Sequence, residues 1–180
     1  MDALAVPFVR LCSVLGWLLL FTSALYAGDE VSVGVQLFTN GHVREARRFF
    51  ESLVQKQPDN PSGFFYVGRI AFGEQQYETA IENFEKAVEL EEKNSDYHLW
   101  LGRAYGRQAE RSSFFRQLLL ARKVKLHLER AVELNPGNLP ARADLREYYL
   151  RAPGFLGGSE EKAKEQAQEI AKREQRQAQP

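Results

Sequence analysis

Apolar and small residues recur along the middle of this chain at one fixed interval of 34 residues. A glycine in a helix interior costs about 1 kcal/mol relative to alanine, so evenly spaced glycines indicate places where two helices touch. The pattern therefore predicts repeated pairs of packed helices. The positions that keep the interval are three glycines and four sets of apolar residues: Gly34, Gly68 and Gly102; Val33, Val67 and Leu101; Ala46 and Ala80; Phe50 and Phe84; Leu53 and Ala87.

Turn signals divide the chain between these positions. Asn40-Gly41 is typical of a turn, and Asn60 before Pro61 is typical of a helix start. The predicted helices cover residues 30–40, 43–57, 61–73, 77–93, 95–110, 114–135, 139–151 and 159–175. The glycine-rich loop from Pro153 to Ser159 lacks the Lys-Ser/Thr ending of a phosphate-binding loop. We interpret it as a turn that packs Phe155 and Leu156 on the helices.

The second repeat carries a recognisable family pattern, an aromatic residue, a Val-Gly pair, and then alanine and phenylalanine at fixed spacing. Its residues are Phe64, Val67, Gly68, Ala71, Ala80, Phe84 and Ala87. The chain resembles the tetratricopeptide repeat family, whose 34-residue unit is a helix hairpin that stacks on the next unit. The resemblance implies an all-α, right-handed superhelical solenoid of antiparallel helix hairpins, with about four repeats and a polar capping helix.

The repeats differ in how closely they follow that pattern. We place them at about residues 29–60, 61–94, 95–138 and 139–175. The third repeat contains an insertion at residues 107–116, because Ala131 follows Ala87 by 44 residues instead of 34. The fourth is degenerate, since Arg146 stands in place of the glycine.

The segment ahead of the repeats is of another kind. Residues 11–27 carry no charge, Arg10 precedes them, and Asp29 and Glu30 follow. This arrangement predicts a signal peptide over residues 1–28 and a repeat domain over 29–180. The alternative is an uncleaved signal anchor that tethers the chain to a membrane through residues 8–27. Both interpretations predict export: the domain is periplasmic or secreted after cleavage, and otherwise anchored with the repeats outside the cytoplasm.

Composition argues against several classes of function. The 24 basic and 24 acidic side chains give zero net charge, so we expect no nucleic-acid partner. Cys12 is the only cysteine and lies in the predicted signal segment. His42, His98 and His127 stand apart from one another and from any catalytic partner in sequence. We therefore predict no enzyme activity, no metal, no cofactor and no small-molecule substrate.

The family resemblance also implies a binding surface, because the first helix of each hairpin lines the concave side of the superhelix. Two arginines in such a groove would bind carboxylates, and the apolar residues would hold side chains of an extended peptide. The alternative is that the phenylalanines are ordinary packing residues. The groove residues predicted by register are Val31, Val35, Phe38, Phe65, Arg69, Phe72, Leu99 and Arg103.

The insertion offers a second candidate surface that is basic and aromatic. Its residues are Arg107, Arg111, Phe114, Phe115 and Arg116. Such a projection suits an anionic membrane surface or a partner protein. The alternative is that the phenylalanines pack on their own hairpin and the arginines are solvated.

These observations lead to two hypotheses of function. The first is a non-catalytic scaffold of the cell envelope or secretory lumen that binds a peptide or protein in its concave groove. The second is an accessory subunit of an envelope enzyme or translocation complex, engaged through the inserted hairpin.

Overall fold

The computed structural model describes residues 30–178, and these form eight α-helices and one short 3-10 turn. Helix α1 covers residues 30–39. The others are α2 (Val43–Lys56), α3 (Pro61–Gly73), α4 (Tyr77–Leu90), α5 (Ser95–Glu110), α6 (Phe114–Leu134), α7 (Leu139–Arg151) and α8 (Glu160–Gln177), with the 3-10 turn at Gly154–Leu156. Residues 30–178 contain no strand, so the predicted all-α class is confirmed. The signal or tether predicted within residues 1–28 lies outside the described residues.

The chain divides into two compact units, one that ends at Phe49 and one that begins at Phe50. In the first unit a turn at Asn40-Gly41 joins α1 to α2, as predicted. Gly41 has a φ of 80°, which glycine adopts without the strain that a side chain would bring. Gly34 and Ala46 are buried, so two of the periodic positions serve packing in this unit.

An asparagine begins the first helix of each hairpin in the second unit. The side chain of Asn60 accepts a hydrogen bond from the Ser62 amide at 3.1 Å, and that of Asn138 accepts one from Ala141 at 3.0 Å. Asn94 does the same at the start of α5. These amides have no partner within their helix, so each asparagine fixes where a helix begins.

The periodic glycines lie where the two helices of a hairpin touch. A Cβ atom at Gly68 would lie 2.8 Å from Cδ1 of Phe84, and one at Gly102 would lie 3.1 Å from Cδ2 of Leu128. Phe84 and Leu128 are both buried in the second helix of the same hairpin. The prediction of close helix contact at these two glycines is confirmed.

Helices of the second unit pack against their neighbours in chain order, from α3 to α8. One buried cluster joins α3, α4, α5 and, through Leu120, α6 around Phe65 and Phe84, and another joins α5, α6, α7 and α8 around Leu128 and Leu145. Helices α5 and α6 contribute to both clusters. Helix α8 fully buries only Ala163, which suits a polar helix that covers the end of a stack.

The hairpin of α5 and α6 is longer than its neighbour. Helices α5 and α6 have 16 and 21 residues, against 13 and 14 in α3 and α4. Both hairpins have a three-residue turn, at 74–76 and 111–113. The additional ten residues therefore extend the two helices and leave the turn unchanged.

Candidate functional site

A pocket of about 740 Å³ opens beside the long hairpin of the second unit. Apolar side chains form much of its wall. They come from α3, α5, the first half of α6, α7 and the segment after α7: Phe72, Trp100, Ala109, Phe114, Leu118, Ala121, Val124, Tyr148, Ala152, Pro153 and Leu156. A cavity of this size and lining is typical of a binding site for a small ligand or for side chains of a partner.

The segment after α7 closes one end of the pocket. The Tyr148 hydroxyl donates a hydrogen bond to the Leu156 carbonyl at 2.9 Å, and Leu156 is buried. Gly157 follows with a φ of 92°, a left-handed conformation that side chains disfavour. Phe155 is 71% exposed, so the expectation that it packs on the helices is wrong, because this turn directs only Leu156 inward.

Charged side chains of the pocket lining neutralise one another. Arg103 Nε contacts Asp144 Oδ2 at 2.5 Å and joins α5 to α7. Within single helices, Arg107 pairs with Glu110 at 2.8 Å, and Arg151 pairs with Glu147 at 2.5 Å. All six residues line the pocket, which therefore carries no net charge from them.

Trp100 lies between two arginines. The guanidinium carbon of Arg69 is 3.6 Å from the Trp100 ring centroid, and that of Arg103 is 4.8 Å away. The Phe72 ring meets the Trp100 ring edge to face at 5.4 Å. Burial lowers the pKa of Arg69, and the charge of Arg103 lowers it further. These cation–π contacts stabilise the indole and orient both arginines.

The structure separates the residues predicted for the groove. Phe72 and Arg103 line the pocket, whereas Phe65 and Leu99 are only 7% and 3% exposed and belong to the two cores. The expectation that Phe65 and Leu99 present side chains to a peptide is wrong, because the neighbouring helices cover them. Arg69 packs on Trp100, as described above. Three further groove residues are half-buried in the unit that ends at Phe49: Val31, Val35 and Phe38.

Aromatic residues at the tip of the long hairpin are exposed. The exposed fractions of Phe114 and Phe115 are 64% and 79%, and their rings contact each other edge to face. Phe115 does not pack back on its hairpin, and Phe114 lies at the edge of the pocket. Large exposed phenylalanines of this kind often mark an interaction surface.

Two arginines near the same tip contact the preceding hairpin, α3–α4. The Arg111 guanidinium donates to the Gln75 carbonyl at 3.2 Å and lies 4.5 Å from the Tyr77 ring centroid. Arg116 pairs with Glu78 at 2.9 Å. Both arginines therefore contact the beginning of α4. They are neither simply solvated charges nor a basic patch that projects freely from the hairpin.

Two histidines that are distant in sequence meet between α5 and α6. Nδ1 of His98 and Nδ1 of His127 are 3.0 Å apart, and His98 Nε2 lies 2.9 Å from the Glu92 carbonyl. Because a carbonyl only accepts, His98 donates through Nε2, and neutral His98 then accepts the Nδ1 proton of His127. Burial is the main cause that lowers the pKa of His127 to about 4, with His98 and Lys123 adding to the effect. Sequence spacing gave no signal for this pair.

Two other kinds of site are absent from residues 30–178. No three or more histidine, cysteine or acidic side chains are grouped there so that they could hold a metal ion. None of the helices in that range has the length and apolar character needed to cross a bilayer.

One protein family matches part of the sequence. Its model, described as "RMD1-3: Regulator of microtubule dynamics protein 1-3", matches residues 73–141, from the end of α3 into α7. This is less than half of the 180 residues. No curated protein sequence matches the chain.

Several solved structures have the same fold. A tetratricopeptide repeat protein of Thermus thermophilus, TTC0263, has a TM-score of 0.67 and 20% identity over 82% of this chain and 74% of its own. MamA from Desulfovibrio magneticus RS-1 has a TM-score of 0.64 and 19% identity over 83% and 76%. The Thermobaculum terrenum O-GlcNAc transferase has a TM-score of 0.67 and 20% identity over 83% of this chain and 26% of its own. The fold is thus that of a tetratricopeptide repeat solenoid.

Proposed function

We propose that this chain is a non-catalytic scaffold that binds an apolar segment of a partner protein in the pocket beside α5. The observation that carries this proposal is the 740 Å³ pocket between stacked hairpins. Tetratricopeptide repeats present such concavities between rigid helices, and a rigid site loses little entropy when it binds.

The pairing of charges favours a neutral ligand. Asp144 and Arg103 form a partly buried ion pair. A carboxylate of an acidic peptide would have to displace Asp144 before it could bind Arg103. Separating such a pair leaves one charge without its partner and costs free energy. Apolar side chains face no such cost against Trp100, Leu118 or Val124. In place of a peptide whose carboxylates bind the groove arginines, we therefore propose a segment with aliphatic or aromatic anchors.

Localisation and partner class are the finer parts of this proposal. The uncharged segment at residues 11–27 supports export to the envelope or secretory lumen, by cleavage or by tethering. Mass spectrometry of the native protein tests this: a terminus between Leu25 and Asp29 supports cleavage, and an intact Met1 in a membrane fraction supports the anchor. An intact Met1 in a soluble cytoplasmic fraction would contradict export.

The alternative function is that of an accessory subunit that binds a complex through the tip of the long hairpin. Two observations support the accessory function. Phe114 and Phe115 are exposed, and α5 and α6 are long, which we interpret as an insertion in the third repeat. A pull-down from membrane extract separates the two functions. One stoichiometric enzyme or translocase favours the accessory subunit, and several weaker clients favour the general scaffold.

A large side chain placed in the pocket tests whether the partner binds there. Ala121 lines the pocket, and we expect Ala121→Trp to lower affinity for the captured partner by about tenfold or more, equivalent to about 1.4 kcal/mol. Ala143 is an exposed alanine on α7 outside the lining, so Ala143→Trp is the matched control. Titration of the partner by calorimetry measures both variants. Unchanged affinity in a folded Ala121→Trp variant, with loss in Phe115→Ser, would favour the accessory subunit.

A further inference from the structure

The outer face of α6 carries an apolar stripe that the pocket does not use. Phe115, Leu119 and Leu126 are 79%, 64% and 61% exposed. Their spacing of four and seven residues places them on one face of the helix. None of the three lines the 740 Å³ pocket, whose lining takes Phe114 and Leu118 from the same helix. Phe115, Leu119 and Leu126 therefore present a second surface of α6, on a different side of the helix from the residues that line the proposed peptide site.

Cations accompany this stripe. From Phe114 to Leu128 the sequence has four basic residues and no acidic residue: Arg116, Arg122, Lys123 and Lys125. Three of these four pair with glutamates, Arg116 with Glu78, Lys123 with Glu85 and Lys125 with Glu129. Arg122 is exposed on the apolar face and forms no ion pair with any residue between 30 and 178. Helix α4 is the opposite, with four glutamates and one lysine between Tyr77 and Leu90. Glutamates of α4 thus neutralise part of the basic charge of α6, and Arg122 is the cation that remains available beside the exposed apolar residues.

We propose that this face of α6, defined by Phe115, Leu119, Arg122 and Leu126, docks on an anionic lipid bilayer, with the helix lying along the membrane surface. Helices that bind membrane surfaces combine phenylalanine and leucine on one side with lysine and arginine beside them. Arg122 would approach lipid phosphates while the apolar side chains enter the region between headgroups and acyl chains.

Other occupants fit this face less well. In a symmetric pair of copies, two such faces would bring basic residues against basic residues, which opposes association. A protein partner of ordinary affinity needs a complementary surface of about 800 Å² on each side. The stripe is narrow and contributes no residue to the 740 Å³ pocket, whereas a fluid bilayer needs no shape complementarity.

Position-specific labels test the proposal in the full chain. In a Cys12→Ser background, which removes the only cysteine, a polarity-sensitive fluorophore is placed at Leu119→Cys or at Leu150→Cys. Leu150 is the matched control, because it is a leucine 53% exposed on α7. The N-terminal segment is the same in both proteins, so its own membrane affinity cancels. We expect a blue shift at residue 119 with phosphatidylglycerol vesicles, a much weaker one with phosphatidylcholine, and none specific to residue 150.

A charge reversal gives a second, independent test. Arg122→Glu should weaken the vesicle-dependent shift at residue 119 by about fivefold or more, and added salt should weaken it as well. Arg146→Glu, at an exposed position four residues before Leu150, should leave it unchanged. Equal shifts at residues 119 and 150, no shift at 119, or equal response to both lipids would overturn the proposal. So would a shift without vesicles that grows with protein concentration, since that indicates a second copy.

Discussion

The hairpins α3–α4 and α5–α6 follow one pattern but expose very different surfaces. In α3–α4 the aromatic residues Phe65 and Phe84 are buried, and Gly68 lets the two helices touch. In α5–α6 the same contact recurs between Gly102 and Leu128, but the additional residues carry Phe114 and Phe115 beyond it, where both stay exposed. A repeat of ordinary length places its large apolar side chains in the core, whereas a lengthened one has apolar surface left for partners.

The largest expected contrast is between a core and a tip phenylalanine. Phe84→Ala should lower the free energy of unfolding by about 3–5 kcal/mol, because Phe84 is fully buried against Gly68 and Phe65. Phe115→Ala should change it by less than about 0.5 kcal/mol. Urea unfolding followed by circular dichroism measures both. A comparable loss in Phe115→Ala would show that the tip packs in solution and would remove the contrast between the hairpins.

Acid should weaken the α5–α6 hairpin in particular. The pKa of His127 falls from 6.5 to about 4 on folding, so between these values the unfolded chain binds a proton that the folded chain does not. The contribution of His127 to the free energy of unfolding is complete above about pH 6.5. It decreases by at most about 3 kcal/mol as the pH falls towards 4. We expect this part of the slope to disappear in His127→Gln.

Urea unfolding at several pH values measures that slope, and the difference between wild type and variant separates His127 from the carboxylates that titrate in the same range. His42→Gln, which replaces a histidine outside the pair, is the control. If His127→Gln keeps the wild-type dependence on pH, the two histidines do not meet as described.

The smallest effects concern one glycine in α3 and one in α5, the first helices of the two hairpins. Gly68→Ala should destabilise by about 1–3 kcal/mol, because its Cβ would lie 2.8 Å from the Phe84 ring. Gly106→Ala should instead stabilise by up to about 1 kcal/mol, because it lies in α5 and its Cβ would have no neighbour closer than 3.9 Å. Thermal unfolding compares the two variants. Destabilisation of equal size at both positions would contradict the assignment of a close helix contact to Gly68.

Sequence patterns predicted the helices of this protein almost completely. All eight predicted helices occur within residues 30–178, and their ends differ from those observed by at most three residues. The largest difference is at α4, predicted to reach residue 93 but ending at Leu90. The reason is local: Asn94 must leave helical geometry so that its side chain can accept from the first amides of α5.

Predictions about side-chain surfaces were less successful. The repeat register predicted that Phe65 and Leu99 line an open groove. In the structure each is buried by neighbouring helices, and the repeat pattern alone does not show which helices these are. Arg103 was expected to bind a partner's carboxylate, but it already forms an ion pair with Asp144, which is 41 positions away in sequence. Likewise, His98 and His127 appeared isolated because they are 29 positions apart in sequence, and only the turn between them brings α6 back along α5.

The sequence by itself determined the class of fold, the start of each helix and the positions where helices touch, because capping, turn formation and the exclusion of side chains act over a few residues or recur with the repeat. Only the tertiary structure decided which charges are paired, which aromatic residues are buried and where a pocket remains. Those properties depend on the distances between helices of different hairpins, and a difference of a few ångströms there determines whether Arg103 meets Asp144 and whether Phe115 meets water.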